Sequence, residues 1–458
     1  MDKKDIMLNK IFDKILKDIK PSNIENKSII SSINTVTSLL KKIVPKDVEI
    51  MVTGSVSRGT NLKGNSDVDI FLLFKTGTTK ESLTKLGLKY GKALVQSKSD
   101  RYEIKYAEHP YVRVYLNALG IKADIVPALK IQNAEQIATA VDRTPLHTQF
   151  INEKLTPKQK DEVRLLKYFL RSHGIYGAES KTSGFSGYLC EVLIYNFLSI
   201  KKLLNWACSL ELPAVIYSKD GKNYNDKEML KKFNSDFVVI DPIDENRNVA
   251  AVVSKESLSK FIFISRKLLE NPSTGQFFGP KYSSRESHTY IEKFIKHSDL
   301  EIYSLIFDIP NKSEDILWPQ IKKVSGIIHD YLKRNEFTIY FSLQWTYNKK
   351  GIILFVAPKQ KLGSRFFKGP EVFNKKGTDE FTKSHKNAIG FIFSGTRLFA
   401  LDTSYVSTLE DALNKVKKDK QICLHKDINL SKALLLKNKV PKELSESACY
   451  ELIRTLSI

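Results

Sequence analysis

At 458 residues the chain exceeds what one hydrophobic core can fill, and its 42% hydrophobic and 27% charged residues are those of an ordinary soluble protein, with no stretch long enough for a membrane span. Lys and Arg number 73 against 51 Asp and Glu, a formal charge of +22 that points to a polyanionic partner, nucleic acid first, over a merely solvated lysine-rich surface. Cys190, Cys208, Cys423 and Cys449 have no paired spacing, which argues against a disulfide framework or a zinc site and suits a reducing, cytoplasmic setting.

The charged N-terminus leads into Leu8, Ile11, Phe12, Ile15, Leu16 and Ile19, a helical stripe that stops before Pro21. A second stripe runs through Ile29, Ile33, Val36, Leu39, Leu40 and Ile43. Val48, Ile50 and Val52 then alternate as a strand that delivers the chain to Gly54-Ser55-Val56-Ser57-Arg58-Gly59-Thr60. Here Gly54 lets the backbone approach a ligand closely, and Ser55 with the amides after it can cradle a phosphate. Asp67 and Asp69 follow at the start of an apolar run. Two residues apart on a strand, they face the same side while Val68 and Ile70 enter the core. Two carboxylates on one face need a compensating cation, and hard oxygen ligands suit Mg²⁺ carrying a nucleotide's phosphates.

A helix near Lys80 to Val95 comes next, then strands over Val112 to Leu116 and Ile121 to Val126, giving a helix-flanked sheet with its chemistry on one edge. In the last strand Ile121, Ala123 and Ile125 share one face and leave Asp124 on the other. A third carboxylate beside the first two makes a site for two Mg²⁺ ions plausible. After Asp142 to His147 a helix starts with Thr156 as N-cap and Pro157 at its first position, turns Val163, Leu166, Phe169 and Leu170 inward and ends at Gly174. Taken alone, Lys167 on this helix reads as a surface lysine and Tyr176 as a packing residue. A helix from Ser186, a short strand Phe237 to Ile240 and a helix through Leu258, Phe261, Leu268 and Leu269 complete this part.

Asn271 to Ser284, with Pro272, Gly275, Gly279 and Pro280, reads as a linker and places a domain boundary near residue 280. Beyond it the pattern predicts strands at Ile302 to Ile309, Thr338 to Trp345, Gly351 to Ala357 and Asn387 to Leu401, with a helix at Ile316 to Leu332. Residues 341–400 hold 11 Lys and Arg against 3 Asp and Glu, a net of +8. Trp345, Tyr347, Phe366, Phe367 and Phe373 lie among them, a mixture that suits base stacking and phosphate contact, with core packing the competing reading.

The Gly-Ser loop followed by Asp67 and Asp69, with Asp124 on a later strand, resembles the nucleotidyltransferase superfamily typified by DNA polymerase β. The runs Arg101–Tyr111, Ala140–Pro145, Glu162–Lys167, Gly174–Glu179, Gly184–Glu191 and Asp241–Ala250 narrow the likeness to archaeal, class I CCA-adding enzymes. The likeness weakens after about residue 335. Two departures stand out: Asp67 replaces a Glu common in the family, and Ser57 and Gly59 replace the Ala and Asn that flank its Arg. The resemblance implies an α+β, multidomain protein: a nucleotidyltransferase sheet with helices over residues 1–150, a helical neck over 151–280, an α/β body over 281–340 and 425–458, and an inserted tRNA-binding tail over 341–424. It implies that Asp67, Asp69 and Asp124 hold two Mg²⁺ ions. Gly54, Ser55 and Arg58 meet the incoming triphosphate, Lys167 and Tyr176 hold it from the neck, Thr144 and His147 lie near ribose and phosphates, and Arg247 reads the base edge of CTP or ATP. The implied partner is tRNA, gripped at acceptor stem and T arm, and the implied reaction is template-independent CCA addition in the cytoplasm with no membrane involved. A homodimer, another polymerase β-type transferase such as an adenylyltransferase or poly(A) polymerase, and a non-catalytic tRNA-binding relative stay open.

Overall fold

A computed structural model describes residues 3–64, 67–95, 100–105, 110–221, 224–279, 284–402 and 406–439 of the chain, which forms two compact units, Met1–Gly279 and Pro280–Ile458. The first begins with α1 (Lys3–Ile19), whose Leu8, Ile11, Phe12, Ile15 and Ile19 are buried as their spacing requires. Ser22 and Glu25 form a capping box that starts α2 (Asn23–Ile43) ahead of its apolar stripe. The chain continues through β1 (Glu49–Thr53), the single turn α3 (Gly54–Ser57), β2 (Asp67–Phe74), α4 (Lys80–Ala93), β3 (Arg101–Lys105), β4 (Tyr111–Leu116) and β5 (Ile121–Leu129).

These five strands make one sheet in the order β1-β2-β5-β4-β3, with β2 and β5 parallel and the other pairs antiparallel. Val68, Ile70, Leu72, Val112, Val114, Ala123 and Ile125 form its apolar face, covered by Val36 and Leu40 of α2 and Leu83 and Tyr90 of α4. The opposite face carries Asp67, Asp69 and Asp124. The expectation of chemistry on a sheet edge is corrected here: the acids stand on the second and third of five strands, because β1 pairs with the outer side of β2. Strand β3 is not foreseen, because Tyr102 and Ile104, alternating with Arg101, Glu103 and Lys105, are only two apolar positions.

Asp142, fully buried, accepts the amides of Leu129 (2.9 Å) and Thr139 (2.8 Å) and so ties the end of β5 to α5 (Arg143–Lys154). That helix is not foreseen, since its few apolar positions and Pro145 give no stripe. A helical core follows from α6 (Pro157–Ser172), α7 (Gly187–Phe197), α8 (Ile200–Cys208), α10 (Lys255–Glu270) and α11 (Thr274–Phe278), with α9 (Asp226–Phe233) and the small sheet β6 (Ala214–Ile216), β7 (Phe237–Asp241), β8 (Asp244–Asn248) beside it. Helix α1 buries its stripe in this helical core rather than against the sheet. Phe277, fully buried on α11, shows that the stretch from Asn271 contains a packed helical turn, Thr274–Phe278, and is not linker throughout. Residues 280–283 of that stretch lie outside the described residues.

The second unit contains α12 (Ser284–His297) and a four-stranded sheet in the order β10-β11-β9-β17, from β9 (Leu300–Asp308), β10 (Phe341–Tyr347), β11 (Lys350–Pro358) and β17 (Leu434–Lys437). Helices α13 (Glu314–Arg334), α15 (Leu409–Lys418) and α16 (Lys420–Cys423) pack on it, and the short β15 (Leu424–His425) and β16 (Ile428–Asn429) pair beside them. A separate three-stranded sheet, β12-β14-β13, comprises β12 (Arg365–Glu371), β13 (Gly390–Ser394) and β14 (Arg397–Asp402), joined by α14 (Lys375–Ser384).

Two expectations change as a result. Asn387 to Leu401 is a hairpin, not one strand, because Gly395 at φ 58° turns the chain. The span 341–424 is not one tail: Phe341–Pro358 and α15 belong to the larger sheet and its core, and only residues 365–402 form the inserted module. Trp345, buried at 5% exposure, is thus a core residue, while Phe366 at 52% and Phe373 at 84% are exposed. The final segment 440–458, expected in the body, lies outside the described residues. No helix among the described residues is long and apolar enough to cross a membrane.

Candidate active site

Strand β1 runs antiparallel to β2 with Thr53 opposite Asp69, so the chain leaves the sheet at Gly54 directly against the carboxylate. Gly54 has φ 77°, and a Cβ there would lie 2.0 Å from Asp69 Oδ2. Only glycine meets both conditions. In the parallel pair β2 and β5, Asp69 stands beside Asp124 and Asp67 beside Lys122, which puts all three acids on one face. Strand β4 adds Arg113 opposite Asp124.

Burial, with the neighbouring Asp124 charge, pushes the Asp69 carboxyl up to about 6, against the downward pull of Arg58. Asp124 is held by Arg113 in a bidentate pair, Nε to Oδ1 at 2.6 Å and Nη2 to Oδ2 at 2.7 Å. That bond raises the guanidinium's affinity for its proton. Lys122 Nζ lies 3.8 Å from Asp67 Oδ1. Neither Arg113 nor Lys122 was singled out in the sequence, although both follow from strand alternation once the register is known.

Among the described residues no three acidic, His or Cys side chains converge to hold a metal ion. The donor set nevertheless fits a hard divalent cation: Asp67 and Asp69 share a face, and the raised Asp69 marks a carboxylate short of compensating charge. Asp124 would join them by parting from Arg113.

Beyond the acids, the loop Gly54–Thr60 meets the helical core. Arg58 and Lys167, expected to be accessible to a triphosphate, are 7% and 2% exposed. Both converge on Glu191 of α7, itself fully buried, with Arg58 Nε at 2.8 Å and Lys167 Nζ at 3.1 Å. Thr60 Oγ1 donates to the same carboxylate at 2.5 Å. Burial alone would raise the Glu191 carboxyl, but the two cations outweigh it and bring it down to about 2. Arg164 of α6 donates to the carbonyls of Gly59 (2.6 Å) and Asn61 (2.9 Å), a second tie on the loop. Glu191 and Arg164 lie within runs that carry the resemblance, yet nothing local to them signals this role. Tyr176 comes close to Lys167 across Gly187, where a Cβ would be 3.2 Å from Tyr176 Oη and 3.7 Å from Lys167 Nζ.

Helix α5 puts Thr144, His147 and Thr148 on one face, and Arg58 Nη1 donates to Thr148 Oγ1 at 3.3 Å. His147 Nε2 lies 3.0 Å from Asp241 Oδ2, and its ring stacks on Tyr188 with centroids 3.7 Å apart. Burial lowers the His147 pKa against the upward pull of Asp241. Asp241, fully buried at the end of β7, also accepts Tyr188 Oη at 2.9 Å and Arg247 Nη1 at 2.8 Å. Arg247 sits on β8, a strand hidden in the sequence by its polar run Asp244 to Asn248. Hydrogen bonds and ion pairs thus link Arg58 to Lys167 through Glu191, Arg58 to Thr144 through Thr148, and His147 to Arg247 through Asp241, while Gly54 lies against Asp69, Asp124 stands beside it, Tyr176 lies near Gly187, Ser55 is in the α3 turn and Asp67 is on β2.

Three family models match consecutive parts of the chain: a nucleotidyltransferase domain at residues 33–147, the second domain of tRNA nucleotidyltransferase at 161–278, and the C-terminal domain of CCA-adding enzyme at 298–433. With its acids on adjacent strands behind a Gly-Ser loop, the protein is of the nucleotidyltransferase class. A CCA-adding enzyme of Methanocaldococcus jannaschii is 37% identical over 399 residues, 83% of this chain and 85% of that protein. One from Thermococcus gammatolerans is 33% identical over 458 residues, covering 96% of this chain and 97% of the other, and one from Archaeoglobus fulgidus is 34% identical over 82% of each. The chain belongs to the family of CCA-adding enzymes.

Proposed function

We propose that the protein builds and repairs the 3′-terminal CCA of tRNA, transferring CMP and AMP from CTP and ATP without a nucleic-acid template. The observation that carries this reading is the match of a CCA-adding C-terminal domain at 298–433 on the same chain as the carboxylate-bearing nucleotidyltransferase domain. In the reaction the tRNA 3′-oxygen forms a bond to the α-phosphorus, the bond to the bridging oxygen breaks, and pyrophosphate leaves. Asp67, Asp69 and Asp124 would hold two Mg²⁺ ions, which when bound ease deprotonation of the attacking hydroxyl and neutralise the leaving group.

The remaining work falls to the chain's own groups. Ser55 and Arg58 receive the triphosphate at the loop, with Lys167 and Tyr176 on its far side. Thr144 and His147 lie along α5 towards the ribose and phosphates, and a His147 kept neutral by burial donates or accepts without adding charge. Arg247 offers the base its Nη2 and Nε donors, because Asp241 engages only Nη1. Cytosine and adenine present different acceptor edges, so the RNA end completes the selection. The tRNA is gripped by acceptor stem and T arm through the basic second unit, in the cytoplasm, and sedimentation of the complex will tell whether one chain or a homodimer binds it.

The test is product length. Purified protein with Mg²⁺, CTP and ATP is given tRNA lacking the CCA end, lacking only the terminal A, and complete. Extension by three, one and no nucleotides is expected; a long homopolymer tail or no extension would remove the reading.

A further inference from the structure

We propose that Glu191 is the positioning residue of the triphosphate grip: its buried carboxylate holds Arg58 and Lys167 together at the Gly54–Thr60 loop. The inference rests on the reading of Arg58 and Lys167 as triphosphate ligands given above. The three partners come from three elements. Arg58 closes the α3 turn, Lys167 lies in the middle of α6, and Glu191 lies in α7, so the carboxylate sets the spacing of two cations that no single element fixes.

Lys167 is almost wholly buried, and its three ammonium hydrogens are all engaged, by the Thr60 carbonyl (3.3 Å), Thr60 Oγ1 (3.0 Å) and Glu191 Oε1 (3.1 Å). A phosphate oxygen reaching Lys167 must therefore replace one of these bonds. Around the ammonium, Arg58 adds a like charge from the loop, and Cys190 of α7 is a neutral thiol pushed up to about 12 by burial. Tyr176 is kept protonated by burial, and on α6 itself Arg164 is paired with Asp161 at 2.6 Å. Among the described residues Glu191 is the carboxylate that contacts Lys167. Burial already lowers the Lys167 pKa against the pull of Glu191, and without that carboxylate desolvation and Arg58 together favour the neutral amine further.

The experiment uses the full chain with Glu191→Gln, which keeps the shape and an acceptor for Thr60, beside Lys167→Ala and the unaltered protein. CTP binding by calorimetry and incorporation kinetics are followed from about pH 6 to about pH 8.5. For Glu191→Gln we expect Kd and KM for CTP to rise about tenfold near pH 8 with kcat changed less than about threefold, and the defect to shrink towards pH 6 as the amine regains its proton. Parallel pH profiles and an unchanged KM in Glu191→Gln, with Lys167→Ala weakened, would overturn the role of Glu191 alone. CTP binding unaffected by Lys167→Ala would overturn the grip reading and this inference together. If Glu191→Gln does not fold, ¹³C-lysine NMR of the unaltered protein decides: a Lys167 signal that stays in its charged form at about pH 8 supports the inference, and a neutral amine at about pH 7 overturns it.

Discussion

Asp69 concentrates the electrostatic problem of the site. Its carboxyl is pushed up to about 6 by burial and by Asp124, while an Asp in the unfolded chain titrates near 4. The folded state thus binds that proton more tightly, and the cost of ionising Asp69 is absent below about pH 4, grows between about 4 and about 6, and is fully present above. Asp69→Asn removes the cost. We expect its Tm in EDTA to exceed that of the unaltered protein at about pH 8 and to equal it at about pH 4, while CMP incorporation is lost. Added Mg²⁺ should then stabilise the unaltered protein more than the variant. A Tm difference that does not change with pH would mean that Asp69 is not the strained group. Arg113 has the complementary part: its bidentate bond meets the charge of Asp124, whereas burial and that neighbouring carboxylate raise Asp69.

At the scale of elements, the loop Gly54–Thr60 owes its shape to neighbours on both sides. Asp69 presses on it at Gly54, and helix α6 reaches it through Arg164 and Lys167. The start of α6 was legible in the sequence: Thr156 and Gln159 form a capping box, with Thr156 N to Gln159 Oε1 at 3.0 Å and Gln159 N to Thr156 Oγ1 at 3.3 Å. Pro157 holds the first helical position. Thr156→Ala should cost about 1 kcal/mol of stability, read as a fall of about 2 °C in Tm, because one amide loses its acceptor. Since Arg164 and Lys167 lie beyond the first turn, KM for CTP should stay unchanged; a rise in KM would show that the cap also sets the loop. Lys167 itself illustrates what helical periodicity hides. It follows the buried Leu166 in the stripe and reads as exposed, yet the loop and α7 cover it, and its charge is met only by groups distant in sequence.

Over the whole molecule, the charge of +22 and the exposed rings of the inserted module serve the same partner in our reading. Phe366 on β12 and Phe373 in the turn after it are exposed, accompanied by Lys368, Lys375, Lys376, Lys383 and Lys386, whereas Trp345 on the edge strand β10 is buried in the core. Phe373→Ala should weaken tRNA binding about fivefold, the effect of one lost base stack of about 1 kcal/mol, without changing Tm. Affinity should also fall steeply with salt for both proteins. Filter binding that gives equal affinities would place Phe373 outside the RNA surface.

Local pattern alone determined the strand that bears Asp67 and Asp69, the glycine turn before it, the capped helix α6 and a basic, multidomain character. Each depends on spacing within a few residues, or on composition, and so can be read along the chain. Tertiary structure decided the rest. The parallel register of β2 and β5 brought Asp124 to Asp69, the antiparallel register of β4 set Arg113 against it, and the packing of α6 on α7 buried Lys167 against Glu191. Register and helix packing are set by contacts between residues far apart in sequence, where no local periodicity records which partner will be met.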